Sequence, residues 1–360
     1  MKVGILTGGG DCPGLNAVIR AVVRALHTES QGTVETLGVL DGFLGLITDR
    51  TRPLDAEAVS GILPLGGTIL GSSNRDNPFA FRGEIHGKRV EGDVTDRVLE
   101  TLRSHEIDSL VVIGGDGTLS IADQFAAHGV RVVGVPKTID NDLSATDRTF
   151  GFDTAVGICS EAIDRIHTTA ESHHRVMFVE VMGRHAGHIA LHSGMASGGD
   201  VILIPEIPFS VETICDAIEV RRSRGKHFSI VVVSEGAIPV GGASTYYRTV
   251  ETGAERGRLG GISQIVATEV ERRVGLETRT TVLGHVQRGG TPSAFDRVLA
   301  TRFGVCAAQQ ILSGNFRTMA SLSGSHVCPV ELSEAVARPK LVQPDGELVS
   351  VARATGVSFG

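Results

Sequence analysis

The feature that most limits how this chain can fold is a repeated pattern. A short β-branched run stops at an acidic turn that carries glycine or proline. Val111-Val112-Ile113 leads into Gly114-Gly115-Asp116-Gly117-Thr118. About twenty residues later, Val132-Val133-Gly134-Val135 leads into Pro136-Lys137-Thr138-Ile139-Asp140-Asn141-Asp142. Continuous apolar runs of this length are what strands buried on both faces look like, and such strands belong to parallel sheets. In an open α/β sheet, ligands bind just beyond the carboxyl ends of the strands. Two neighbouring strands would then carry Asp116, Asp140 and Asp142 to one crevice. Three carboxylates beside glycine-lined backbone suit a metal, a phosphate and a base, which is the equipment of phosphoryl transfer.

The same alternation continues along the chain. Strands are expected at Lys2 to Thr7, Thr33 to Val39, Val176 to Val181, Val201 to Ile204, Ser229 to Val233 and Thr280 to Leu283. Helices are expected between them, including Arg97 to Arg103 and Thr154 to Ala170. This is doubly wound α/β architecture. Asn16 is placed to cap the helix through Ile19, Val22 and Val23. Asp41 to Ile47 reads as a loop, residues 76–96 as a polar surface excursion, and Gly241 to Gly261 as a domain connection or mobile loop. The tail after Arg338 has no regular pattern.

With 360 residues there is chain enough for two domains with substantial cores. The 46 glycines fit many tight strand-to-helix turns. A net charge of −7 without basic blocks argues against nucleic acid. No apolar run reaches the roughly 18 residues of a membrane span, and no targeting leader is expected before the first strand. The five cysteines are scattered without a CxxC pair, which points to reduced thiols and a cytoplasmic compartment. Cys12 lies in a glycine turn, where it could be exposed and reactive, but packing is the role expected of it.

Several segments could carry chemistry. Gly8-Gly9-Gly10-Asp11-Cys12-Pro13-Gly14 follows a strand and opens a helix, so its amides could approach an anion. It is neither a Walker sequence nor a GxGxxG motif, and a plain tight turn reads the same way. In the Gly114–Thr118 turn, Asp116 could hold magnesium while amides hold phosphate, or it could simply cap a helix. Asp140 and Asp142 alternate, so both could point one way if the segment is extended. Paired carboxylates raise one pKa, which suits a general base; a solvated Asx turn is the plain alternative. Arg175, Arg184 with His185, and the run His285-Val286-Gln287-Arg288 all lie near strand ends, where arginine forks match phosphate oxygens. Any one of these arginines alone is more often a surface ion pair. Glu235 is a further strand-end carboxylate. His173, His174, His185 and His188 lack an accompanying acidic or thiol ligand at metal-site spacing, and His188 reads as structural.

Taken together, these segments resemble the phosphofructokinase family. The matching stretches are GGGDCPGLNAVIR, GGTILGSS, VVIGGDGT, PKTIDND, EAIDR, HHRVMFVEVMGRHAG, IPE, VSEGA and TRTTVLGHVQRGGTPSAFDRVLATRFG, in family order from residue 8 to about 304. The resemblance implies two doubly wound Rossmann-like domains with mainly parallel sheets. Residues 1–143 plus about 255–310 would form the donor domain, and 144–254 plus about 311–360 the sugar-phosphate domain. It implies transfer of a phosphoryl group from ATP to the 1-hydroxyl of fructose 6-phosphate, a committed step of glycolysis, with Mg2+ as cofactor. Asp140 matches the proton acceptor and Asp116 the magnesium-binding acid. Gly10, Gly115, Gly117 and Thr118 match the donor site. Thr138 and Ile139 fall at the substrate loop, with Met182, Gly183 and Arg184. Glu235, His285, Val286, Gln287 and Arg288 fall at the sugar-phosphate pocket. Arg175 and Arg279 match arginines lent across a subunit boundary, which implies a homodimer or homotetramer.

At the donor, Gly117 is the ATP-type residue and Lys137 the pyrophosphate-type residue. Asn74 replaces an arginine of many ATP users, with Arg75 adjacent as its substitute. The combination favours ATP, with pyrophosphate or a silent regulatory subunit as alternatives. Arg20, Arg24 and Arg50 match effector positions, but His167 and the Lys226-His227 segment depart from that pattern, so the usual effector responses are not expected. NAD and lipid kinases share the GGDGT turn but lack the PKTIDND and GHVQRGG segments. A dehydrogenase would need a ribose-binding acid at the end of the second strand.

Overall fold

The computed structural model describes residues 1–249 and 257–360. Its strands, in chain order, are β1 (Lys2–Thr7), β2 (Glu35–Val39), β3 (Thr51–Pro53), β4 (Phe81–Ile85), β5 (Lys88–Gly92), β6 (Ser109–Gly114), β7 (Val132–Pro136), β8 (Val176–Val181), β9 (Val201–Leu203), β10 (Ser229–Ser234), β11 (Tyr246–Thr249), β12 (Gly257–Leu259), β13 (Thr278–Val282), β14 (Thr318–Ser323) and β15 (His326–Glu331). Helices separate most of them, so the fold is α/β as the alternation implies. The chain divides into two compact units.

The first unit comprises Met1–Ile139, Leu143–Asp153 and Arg288–Pro339. Its seven-stranded sheet runs β15-β14-β7-β6-β1-β2-β3. The five central strands are parallel, and β3 and β15 add antiparallel edges. All six residues of β6 and all five of β7 are buried. Their β-branched side chains fill both faces of the sheet, which is why neither strand alternates polar with apolar. From β1 the chain winds to β2 and β3 on one side, then returns to β6 and β7 on the other. That reversal puts the topological switch between β1 and β6. A core including Leu6, Val112, Phe125 and Met319 lies against this sheet. Truncating a buried ring such as Phe125, 1% exposed, to alanine costs about 3–5 kcal/mol.

The second unit comprises Asp140–Asp142, Thr154–Gln287 and Lys340–Gly360. Its sheet runs β13-β8-β10-β9 and is wholly parallel. Val176, Phe178, Val231, Val233 and Val266 belong to its core. Glu180 is an exception inside β8, a carboxylate only 2% exposed. It accepts from the amides of Gly261 (3.0 Å) and Ser263 (3.0 Å) and from the Ser263 hydroxyl (2.6 Å). These groups begin the helix Ile262–Val274, whose amino end favours a negative charge. A buried carboxylate is tolerable there because donors and the helix dipole replace its hydration.

The unit boundaries differ from those read in the sequence. Strand β14 pairs in parallel with β7, which keeps residues 318–331 in the first unit. The helix Ile262–Val274 packs on β8 and β13, which keeps it in the second. Other local expectations also shift. Phe43–Ile47 is a short helix rather than a loop. The excursion at 76–96 contains the β4–β5 hairpin. The tail holds a helix at Glu347–Ala354. Part of the expected connection, residues 250–256, lies outside the described residues. Among the described residues, no helix is long and apolar enough to cross a membrane.

Candidate active site

In the first unit, the turns after β1 and β6 flank the switch point. They are held together by backbone. The Gly8 amide donates to Ile113 O (2.9 Å), the Lys137 amide to Gly114 O (2.9 Å), and the Gly9 amide to Ser73 O (2.9 Å). Ser72 Oγ donates to Gly9 O at 2.5 Å. A Cβ on Gly8 would meet Thr118 Cγ2 at 2.6 Å, so the glycine is what lets the two turns approach. Gly14 begins the following helix with φ 107°, a left-handed conformation natural to glycine. Asn16 therefore does not cap that helix. Its amide donates to Leu65 O (3.1 Å) and Gly66 O (3.2 Å), and its Oδ1 accepts from the Ile69 amide (2.8 Å). It fixes the Gly66–Ser73 turn instead.

Asp116 is the first residue of the helix Asp116–Ala127, with Gly115 as the N-cap. Asp116 and Gly117 are exposed, while Thr118 is 8% exposed. A Cβ on Gly117 would meet no atom within 4 Å beyond its chain neighbours and its own helix backbone. Amides at this helix end offer donors and positive potential to an anion. The Lys137 ammonium, on a residue 3% exposed, donates to Gly10 O. The Arg288 guanidinium also lies here. Its Nη1 donates to Asp11 O (3.1 Å) and would sit 2.8 Å from a Cβ on Gly10. Arg75 is exposed on its loop. Cys12 is fully buried and its thiol is pushed up to about 12 by burial, so packing is its role.

The chain passes to the second unit between Ile139 and Asp140. Thr138 is 8% exposed, and its carbonyl accepts from Thr149 Oγ1 (2.7 Å). Ile139 is fully buried and Asp140 is 3% exposed. The alternation argument fails at Asn141, whose φ of 53° turns the backbone out of extended conformation. Asp140 and Asp142 therefore do not share a face by strand geometry.

In the second unit, the loop after β8 carries Arg184. Gly183 has φ 141° and Arg184 has φ 52°, a sharp turn that points away from strand geometry. Three contacts hold it. The Met182 amide donates to Gln287 Oε1 (3.1 Å), the Arg184 amide to Glu235 Oε1 (3.1 Å), and the Gly187 amide to Glu206 Oε1 (2.9 Å). Gln287 is fully buried and also accepts from Cys159 Sγ (3.0 Å). Its carboxamide is spent inside the protein, so it positions Met182, while His285 and Val286 are exposed beside it. Arg175 pairs with Glu277 at 2.9 Å, and Arg279 pairs with the same carboxylate. Arg175 is the main cause of Glu277 lying below the usual carboxylate range.

Sequence reasoning named most of these loops but missed their supports. Glu206 lies in the quoted IPE stretch, and Ser72 and Ser73 lie in GGTILGSS, yet neither the carboxylate nor the hydroxyls carried a role. Glu180 gave the clearest available signal, a charge inside a six-residue apolar strand. His188 is structural as expected; burial brings its imidazole down to about 4. Among the described residues, no group of three or more His, Cys, Asp or Glu side chains is arranged to hold a metal.

Comparison with known proteins gives the family. The family model for phosphofructokinase matches residues 2–311. ATP-dependent 6-phosphofructokinase 2 of Clostridium perfringens is 51% identical over 99% of this chain and 98% of its own. Pyrophosphate–fructose 6-phosphate 1-phosphotransferase of Streptomyces coelicolor is 53% identical over the full length of both chains. The crystal structure of a pyrophosphate-dependent phosphofructokinase from Nitrosospira multiformis superimposes with a TM-score of 0.80 at 23% identity, covering 96% of this chain and 87% of that one, a likeness of fold. The chain belongs to the phosphofructokinase family.

Proposed function

We propose that this chain is a 6-phosphofructokinase that transfers the terminal phosphoryl group of ATP to the 1-hydroxyl of fructose 6-phosphate, giving fructose 1,6-bisphosphate and ADP. The observation that carries the donor assignment is the open space at Gly117. Beyond its chain neighbours and its own helix backbone, no protein atom lies within 4 Å of a Cβ built there, which leaves room beside the helix amino end for the α-phosphate of a nucleotide. The full-length match to the Clostridium perfringens enzyme supports the same donor.

Asp140 is assigned as the proton acceptor for the sugar hydroxyl, and Arg184 as the cation that faces the transferring phosphoryl group. Positioning and electrostatics supply most of the rate in such transfers. Thr138, Met182 and Gly183 are assigned to the sugar, with Glu235, His285 and Arg288. Gly10, Gly115 and Thr118 are assigned to the donor phosphates, with Arg75 beside them. Asp116 would hold magnesium. One exposed carboxylate at a helix amino end fits that ion, which takes one or two carboxylates with water and substrate phosphates. When bound, magnesium supplies charge neutralisation at the donor oxygens. Arg175 and Arg279 are assigned to the 6-phosphate of a neighbouring subunit, in a cytoplasmic homodimer or homotetramer.

A pyrophosphate donor is the second reading. It is favoured by the Lys137 ammonium on the Gly10 carbonyl and by the Streptomyces coelicolor relative. The variant Gly117→Asp separates the two. Its side chain enters open space, so folding is retained, while its charge faces the nucleotide. ATP turnover should fall at least about tenfold, with pyrophosphate turnover kept at or above its starting level. Undiminished ATP turnover would overturn the assignment.

A further inference from the structure

The sequence reading gave the chain after Arg338 no role. In the second unit, residues Lys340–Val342 form a strap with four contacts to segments that matter for the reaction. The Lys340 amide donates to Asp142 O at 2.8 Å. Its ammonium donates to Asn141 Oδ1 at 3.1 Å. Its carbonyl lies 3.1 Å from His188 Nε2. The Val342 amide donates to Glu206 Oε1 at 2.9 Å, the same oxygen that takes the Gly187 amide at 2.9 Å.

These contacts serve two loops. Asn141 and Asp142 directly follow Asp140. Asn141 is 5% exposed and sits at φ 53°, where a non-glycine residue needs help from its surroundings. Lys340 supplies that help twice, through backbone to Asp142 and through side chain to Asn141. A bond from an ammonium to an amide oxygen is charge-assisted and stronger than a neutral one. The second loop is Met182–Gly187, which carries Arg184. Gly187 precedes the helix His188–Ala196, and His188 is the first residue of that helix. A carbonyl only accepts, so His188 Nε2 carries the hydrogen. Burial keeps this ring neutral, which matches that tautomer. A side chain on Gly187 would meet Glu206 Oε2 at 2.7 Å, so the carboxylate and the loop fit closely.

We propose that Lys340 is a positioning residue for phosphoryl transfer, whose ammonium and backbone hold the turn after Asp140 while its strap ties the same turn to the loop bearing Arg184. The inference rests on the assignment of Asp140 and Arg184 made above. It gives the C-terminal segment a kinetic role, because a misplacement on the order of 1 Å in a reacting group can cost about a hundredfold in rate.

The test uses the full-length enzyme and the variants Lys340→Met, which keeps the stem and removes the charge, and Lys340→Arg. Lys340→Met should lower kcat by about tenfold to a hundredfold, leave KM for fructose 6-phosphate within about threefold, and leave the melting temperature within a few degrees. Lys340→Arg should restore most of kcat. A kcat within twofold of wild type in Lys340→Met, or a loss matched by loss of folded protein, overturns the proposal. Hydrogen–deuterium exchange supplies a readout that needs no turnover. Backbone exchange in a peptide covering residues 140–143 should quicken in Lys340→Met, and unchanged exchange there overturns the proposal too. Wild-type protein that turns over neither donor, yet shows the quickened exchange in the variant, defeats the functional reading and leaves the positioning contact standing.

Discussion

The turns of the seven-stranded sheet are joined to one another through backbone, whereas the loop after β8 in the four-stranded sheet has its amides held by side-chain acceptors, one of them the buried Gln287. At the first, Gly8 approaches Thr118, Gly117 faces open space, and a helix begins just after Gly115. At the second, Glu235, Gln287 and Glu206 each take a backbone amide of the Met182–Gly187 loop. The difference follows from what each region is assigned to bind. Nucleotide phosphates are long and flexible, and a cradle of amides suits many of their oxygens at once. A sugar hydroxyl must be placed against one base, and that demands side chains whose own positions are fixed.

Substitutions can break this comparison. The largest expected effect is at Asp140, in the second unit. Asp140→Asn keeps size and removes the proton acceptor, so kcat should fall by about a hundredfold to ten-thousandfold, with donor affinity little changed. Steady-state kinetics check it, and loss of ATP binding in equal measure would say that Asp140 serves the donor instead.

Next is the dependence of stability on acidity through His188, in the second unit. His188 is brought from the ordinary 6.5 to about 4 by burial. The unfolded chain therefore takes up this proton at higher pH than the folded chain does. Stability from this group is complete above pH 6.5 and is lost as pH falls from about 6.5 towards 4, by about 3 kcal/mol in the limit. Thermal melts across that range should show the loss, and His188→Gln should lack this part of the slope. An identical slope in the variant would remove His188 from the account.

The smaller kinetic effect concerns Glu235. Glu235→Gln weakens the acceptor for the Arg184 amide and should raise KM for fructose 6-phosphate by about tenfold. If KM for ATP rises instead, the division of labour between the two units is wrong.

Much of the first unit was legible because its signals are local. Lys2–Thr7 was read with the boundaries observed, and so was Val176–Val181 in the second unit, since a buried parallel strand is a continuous apolar run. The β6 and β7 turns were found because glycine and proline mark strand ends. What escaped were contacts over long sequence separations. Asn16 read as a helix cap because Asn commonly caps, but its partners lie at residues 65–69. Lys340 could not be read at all, since its partners are some 150 to 200 residues away. The β4–β5 hairpin was missed because most of its residues face solvent and carry polar or charged side chains, so no apolar period marks it. The alternation of Asp140 and Asp142 failed because it assumed an extended backbone that Asn141 does not adopt.

The most direct measurement is product analysis on the purified wild-type chain with magnesium, fructose 6-phosphate and ATP, followed by phosphorus NMR with a parallel ADP assay. The account predicts fructose 1,6-bisphosphate and ADP in equal amounts, formed only when the sugar is present. Consumption of pyrophosphate but not of ATP would contradict the donor assignment, and consumption of neither would contradict the proposed activity itself.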